Sequence, residues 1–365
     1  MYSTEIDCLT NGAPHAREAK NLVDFFASLG KSSRYDFVRC YATFDLYNKM
    51  RKLRERPFEI AKFQECLRDC LAMAEQMVKN TSAYGDFLTA PDHLGGVDLS
   101  AEEAEAQTKF LYGSLFNDFD EDDYYEKTFT LLRERFKSND VEIARIQEKI
   151  ALDAGCGGGR FSLALRRMGF REVRGIDFSA INIATAMRRR DDRAIDGVQF
   201  QVASVLEIPF PDDTFDFAFS NGVLHCITRP MVEGLSELYR VLKRKGELHV
   251  AVMEKPGGIL SDTIEILRAV MRNVSVDKAL PIVQAMGLKG FRLYSLLDHL
   301  LVPVNVRTTP QEFEEFIRMA GFTDLRRFAR GAHTDQIELI ARFGSADPDA
   351  VWKYGVGENK YLCTK

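Results

Sequence analysis

The stretch KIALDAGCGGGRFSLAL, residues 149–165, holds the residues best suited to chemistry in this chain. An apolar run enters Asp153 and Ala154, then Gly155, Cys156, Gly157, Gly158 and Gly159, and a helical pattern begins at Arg160. Glycines at a strand-to-helix turn let the backbone bend sharply and let a ligand lie against bare main chain. The N–H groups opening the helix can receive an anion, here a ligand's carboxylate. Asp153, inside the approach, could receive a cationic amine. A dinucleotide fingerprint would need a small residue where Arg160 stands. Acid and glycines together favour an amino-acid-bearing nucleotide over a pyrophosphate.

Asp177, in RGIDFS, ends the next apolar run, 22 residues after Gly155. A carboxylate there can accept both hydroxyls of a ribose; the plainer alternative is a helix N-cap beside Ser179. His225, in SNGVLHCI, is the best general-base candidate, just beyond the fourth strand on the side where such sheets bind ligands. Local packing competes with that role. Glu254 is a weaker alternative, and His249, within a strand, reads as structural. Tyr112, Tyr124 and Tyr125 could cover a cofactor, although their helical spacing suits core packing equally well. Asp118, Asp120, Glu121, Asp122 and Asp123 fit the acidic opening of a helix better than a metal site, and no metal is expected.

The elements that must position these residues change character along the chain. Residues 1–147 read as a helical N-terminal domain. Ile60, Phe63, Leu67, Cys70, Leu71, Ala74, Met77 and Val78 paint one helical stripe, and Ser100 with Glu103 makes a capping box. From 148 to 344, short apolar runs alternate with helical segments, which predicts a parallel sheet covered by helices on both faces. A helical insertion over 256–307 follows the fifth strand, and Thr309, Pro310 and Glu312 open another helix. Thr323–Ala329 and Gln336–Arg342 read as two late strands, and residues 345–365 as an irregular tail. The insertion carries more apolar residues than one sheet-facing helix would bury, Leu297 and Leu301 among them. They predict either a roof over an apolar acceptor pocket or packing between helices, with a homodimer left open.

LDAGCGGGR, GIDFS, VQFQVASVLEIPFPDDTFDFAFSNGVLHCI, LYRVLKRKGELHVAV and FIRMAGF resemble, in order, the motifs of class I S-adenosylmethionine-dependent methyltransferases. The resemblance covers about residues 149–253 and is greatest to the branch acting on small molecules such as quinones and sterols. It implies an α/β fold: a Rossmann-like seven-stranded sheet with its last strand antiparallel. It also implies S-adenosyl-L-methionine as cofactor and a small-molecule acceptor. Carried across, Gly155, Gly157 and Gly159 would lie against the methionine part, and Asp153 would help hold its amino group. Asp177 would take the ribose, Phe178 would lie beside the adenine, and Asn221 would offer main-chain contacts near the methionine end. Many relatives have an acid after the third strand to bind the adenine amino group; here Ser204 stands there, beside Val205, whose N–H could still reach the ring. An uncharged hydroxyl accepts that bond more weakly.

Composition narrows the alternatives. The net charge of −5 and the absence of a basic stripe argue against a nucleic-acid partner. Seven cysteines without a CxxC pair argue against a zinc or disulfide framework and suit the cytoplasm. No uncharged apolar run reaches the ~18 residues of a membrane span. A nicotinamide-dependent dehydrogenase and a non-catalytic cofactor-binding regulator stand as the alternative functions. Arsenic methylation matches poorly, because Gly222 stands where those relatives carry a cysteine.

Overall fold

The computed structural model describes residues 6–83, 100–115, 122–142, 148–288, 290–333 and 335–365. Short apolar runs form the strands β1 (Ile150–Ala154), β2 (Glu172–Asp177), β3 (Val198–Val202), β4 (Phe215–Asn221) and β5 (Leu242–Val252). Two later strands, β6 (Thr323–Arg327) and β7 (Asn359–Thr364), complete one sheet in the order β3-β2-β1-β4-β5-β7-β6. The first five pair in parallel, and β7 runs antiparallel to both its neighbours. The strand order reverses between β1 and β4, so the crossovers leave a crevice at the carboxyl ends of those two strands.

Period-2 alternation gives the sheet two cores. Ala151, Val173, Phe217 and Phe219 face one side, with Phe136 from the helix Thr128–Lys137 laid edge-on against Phe217. Leu152, Ala154, Ala218, Leu248 and Val250 face the other, under the helices Met231–Val241 and Pro310–Met319. The second of these helices opens on the expected capping box between Thr309 and Glu312, and the reciprocal bonds of Ser100 and Glu103 are also present.

A third core lies outside the sheet. The helices Ala16–Ser28, Asp36–Arg54 and Ile60–Ala83 pack against Gly258–Met271, Val276–Ala285 and Gly290–Leu301 of the insertion. Phe63, Leu67, Cys70 and Ala74 of the predicted stripe are fully buried there, as are Leu296 and Leu297. The surplus of apolar residues in the insertion is therefore taken up by helix packing. Residues 124–141 instead join the sheet core through Tyr124, Leu132, Phe136 and Val141.

The C-terminal quarter differs from the sequence reading. Gln336–Arg342, expected as a strand, is the helix Gln336–Phe343. The expected irregular tail contains β7, which sits between β5 and β6, so the sheet extends past 344 to Thr364. Two glycines at positive φ, Gly355 and Gly357, and the polar residues of NKYLCT disguise a strand that is buried almost throughout. Lys360 can lie inside because Asp335 pairs with it at 3.0 Å. Among the described residues, no helix is long and apolar enough to cross a membrane.

Candidate functional site

The glycine turn hangs from the end of β2. The N–H groups of Gly155 and Cys156 both donate to the Ile176 carbonyl at 2.8 Å, and Gly157 N–H donates to Asp177 Oδ2 at 2.9 Å. Glycine is required here by crowding within the protein as well as by conformation. At Gly155, φ is +79° and a Cβ would come 2.4 Å from Val223, beyond β4. At Gly159, φ is +87° and a Cβ would come 2.8 Å from Phe200 on β3. The turn is thus clamped between the strand ends on both sides of β1, and its helix, Arg160–Arg167, follows directly.

Two buried carboxylates frame this turn. Asp153, 2% exposed near the end of β1, accepts a 2.6 Å hydrogen bond from Ser162 Oγ. Burial pushes its pKa up to about 7; the Ser162 bond opposes the shift, and the Asp177 charge adds to it. Asp177 is held by Gly157 N–H on one oxygen and by Ser179 N–H and Asn182 Nδ2 on the other. The N-cap of the next helix is Ser179, so Asp177 braces the turn and the helix opening together. Two acids at one glycine turn would repel a pyrophosphate, whereas a cationic amine and a ribose suit them. The donor set fits an amino-acid-bearing nucleoside.

The other expected residues lie around this frame. Ala154 and Cys156 are buried, and burial drives the Cys156 thiol far above its usual range, leaving it unreactive. Arg160 is half-buried over Phe161, and Phe178 is half-buried next to Asp177. After β3, Ala203 N–H donates to the Asp177 carbonyl at 3.0 Å, and Ser204 Oγ accepts from Leu206 N–H at 3.1 Å. The Ser204 oxygen is thereby partly used in closing its own turn, with Val205 buried beside it. Asn221 ends β4, and the following Gly222 N–H returns to Ala251 on β5.

His225 lies in a short turn after β4, buried, with Nδ1 lacking a partner among the described residues. Burial lowers its pKa to about 3, and His299, Arg307 and Arg268 push it the same way. It is neutral at pH 7. Glu254 is also buried; its Oε1 accepts from Gln336 Nε2 at 3.2 Å, and burial with the nearby Glu358 raises its pKa to about 7. His249 stacks on Phe219 at 4.7 Å within the sheet core. Tyr124 is buried beneath the Arg189 guanidinium, 3.5 Å from its ring centre, and Tyr125 lies under Arg167 and Arg193. The side chains of Tyr112 and of the acidic run 118–123 lie outside the described residues.

Sequence reasoning missed Ser162, Asn182 and Val223. A hydroxyl one turn into the helix after the glycines, and an amide three residues after an N-cap serine, were readable signals for the first two. Val223 carried none, because its contact with Gly155 crosses from the fourth strand to the first.

Residues 152–250, from β1 to β5, match a family profile described as a methyltransferase domain. A demethylmenaquinone methyltransferase from Thermus thermophilus is 29% identical over 207 residues, spanning 49% of this chain and 90% of its own. A ubiquinone/menaquinone biosynthesis C-methyltransferase from Citrifermentans bemidjiense is 28% identical over 181 residues, 48% of this chain and 72% of its own. The solved structure of a 1,6-didemethyltoxoflavin-N1-methyltransferase from Burkholderia thailandensis, with its substrate and S-adenosylhomocysteine bound, aligns at 17% identity and a TM-score of 0.43. That alignment covers 76% of this chain and 98% of the other. The profile match begins on the strand that feeds the glycine turn and ends on β5, and over that segment this chain is similar to S-adenosylmethionine-dependent methyltransferases of the small-molecule branch.

Proposed function

We propose that the chain transfers a methyl group from S-adenosylmethionine to a small, partly apolar acceptor seated beyond the carboxyl ends of β4 and β5. The observation that carries this reading is the pair of buried carboxylates, Asp153 and Asp177, on a glycine turn at the sheet's switch point. The curated quinone methyltransferases support an acceptor of that class.

When bound, the cofactor supplies an activated methyl group for in-line displacement, so the protein's task is positioning and exclusion of water. Asp153 receives the amino group, losing its proton as it does so. Asp177 takes the ribose on a carboxylate already oriented by three donors. Gly155, Gly157 and Gly159 keep the main chain bare along the methionine part, with Arg160 opening the helix behind them. Phe178, Ser204 and Val205 border the adenine, and Asn221 presents main chain near the methyl end. Beyond β4, His225 has a ring nitrogen, Nδ1, without a partner among the described residues. With a pKa near 3 it would be a weak base, so it serves the acceptor as a neutral hydrogen-bonding group.

The test is to incubate the protein with methyl-labelled S-adenosylmethionine and a small-molecule extract of its source cells, reading products by mass spectrometry. A labelled metabolite is expected, and its fragments identify the acceptor atom. Cofactor binding with no labelled small molecule would overturn the acceptor class and favour a regulator.

A further inference from the structure

The helical core contains a cluster that the methyl-transfer site does not use. Cys8, in the helix Asp7–Thr10, His15, at the N-cap of Ala16–Ser28, and Asp262, in Gly258–Met271, bring a sulfur, a ring nitrogen and a carboxylate oxygen within 4.8 Å of one another. Cys8 and His15 are fully buried and Asp262 is 5% exposed. His15 Nε2 and Asp262 Oδ2 are 2.8 Å apart, while His15 Nδ1 is buried with no partner among the described residues. The ring is held edge-on by Phe63.

Charge around the cluster is unbalanced. Three acids, Asp7, Asp262 and Glu265, surround Cys8. Glu265 accepts Asp7 N–H at 2.8 Å and pairs with Arg307 at 3.2 Å, and among the described residues that guanidinium is shared between Glu265 and Asp262. Asp262 has His15 as its only close partner among the described residues, and a buried carboxylate requires compensation.

We propose that Cys8, His15 and Asp262 hold a zinc ion, with a water molecule as the fourth ligand, that fastens the N-terminal segment to the insertion helix Gly258–Met271. Thiolate, imidazole and carboxylate are ordinary zinc ligands, and donor atoms around a tetrahedral zinc stand roughly 3.3–3.8 Å apart. The 2.8 Å pair of His15 and Asp262 must open by about half an ångström, while separations of up to 4.8 Å must close by about 1 Å. On binding, the Cys8 S–H bond breaks, its proton leaves to solvent and a sulfur–zinc bond forms, while His15 contributes a lone pair. The added dication offsets the thiolate and the Asp262 carboxylate, so the cluster becomes neutral where it is now under-compensated. With 247 residues between His15 and Asp262, the set escapes motif reading, which searches for closely spaced pairs.

The experiment uses the full chain, stripped with chelator and re-equilibrated with zinc chloride, and then with cobalt chloride as a spectroscopic probe. One zinc per chain by elemental analysis and a thiolate-to-cobalt charge-transfer band in the near ultraviolet are expected. Cys8→Ser should abolish the band and weaken zinc binding by more than about tenfold, with Cys66→Ser leaving both unchanged. Substoichiometric zinc, a wild-type cobalt complex without the band, or a band that survives Cys8→Ser would overturn the proposal. If Cys8→Ser fails to fold, Asp262→Asn and the wild-type spectrum decide the matter. S-adenosylhomocysteine binding, measured alongside, reports the sheet separately.

Discussion

The sheet and the helical core bury their polar groups in different ways. At the glycine turn the partners are close in sequence: Ser162 serves Asp153 from nine residues away, and Gly157 serves Asp177 from twenty. In the helical core, Asp262 meets His15 across 247 residues, and Glu265 meets Asp7 across 258. The glycine turn is therefore specified within one contiguous segment. The helical core exists only when the N-terminal region and the insertion after β5 find each other. The curated relatives cover about half of the chain, 49% and 48%, which fits this division. The profile match, residues 152–250, contains the glycine turn, and the buried residues of the helical core lie outside it.

The largest expected effect tests whether the sheet depends on its late strand. Asp335 pairs with Arg135 at 2.6–2.7 Å and with Lys360 of β7 at 3.0 Å, all three side chains being nearly buried. Asp335→Asn leaves two cations under-compensated, and a loss of about 3–5 kcal/mol in unfolding free energy is expected by urea denaturation. These cations hold the Asp335 carboxyl well below its usual range. Its contribution is therefore present above the unfolded-state value and is lost as pH falls into strong acid. A cost below 1 kcal/mol would mean that β7 is held by its ladder alone.

Next in size is Leu297→Ala, in the fully buried centre of the helical core. Truncating a buried leucine costs about 2–5 kcal/mol. Because Leu297 belongs to the helical core and not to either sheet core, affinity for S-adenosylhomocysteine at low denaturant should not change. A parallel loss of cofactor affinity would show that the two regions form one cooperative body and would break the distinction drawn above.

A smaller effect separates the two regions by pH. If Asp153 receives the cofactor's amino group, it must be ionised, and in the free protein its pKa is about 7. Binding then releases a proton, so affinity for S-adenosylhomocysteine should rise with pH up to about 7 and level off above it. The slope approaches about tenfold per pH unit on the acid side. Calorimetry of the wild type against Asp153→Asn should show that slope only in the wild type. A slope retained in the variant would remove Asp153 from the amino-group site.

What could be read in the sequence follows the same division. The glycine turn, Asp177 and the first five strands were legible because each is written in a few adjacent residues. β7 was not, since Lys360 and Asn359 look like surface residues until Asp335 and the Thr308 carbonyl are placed against them. Gln336–Phe343 was misread because its short QIELIARF pattern fits alternation nearly as well as a helical stripe, and burial of only Gln336 and Leu339 decides for the helix. The surplus of leucines in the insertion was visible, but its destination was not, because the partner helices lie some two hundred residues earlier. His225 was found by position, while its neutrality is set by burial and reinforced by His299, Arg307 and Arg268, which no local pattern connects to it.

The smallest expected effect concerns a histidine that the sheet carries without using. His249 is stacked on Phe219, edge-on to Phe328 and close to Phe136, and neither ring nitrogen has a partner among the described residues. Burial holds its pKa down near 3, with Arg135 and Lys360 acting in the same sense. Phenylalanine would keep the stack and remove two unsatisfied polar atoms, at the cost of slight overpacking. His249→Phe should therefore lie within about 1 kcal/mol of wild type at pH 7. The pH dependence is the sharper observation. Between pH 6.5 and about 3 the unfolded wild type binds a proton at this position that the folded protein refuses, so wild-type stability falls as pH drops through that window. The variant lacks this loss, and its stability relative to wild type should increase from pH 7 to pH 5 in paired urea titrations. A constant difference across that range would mean that His249 is reached by solvent or gains a partner on protonation, and the sheet core would then be less dry than its packing indicates.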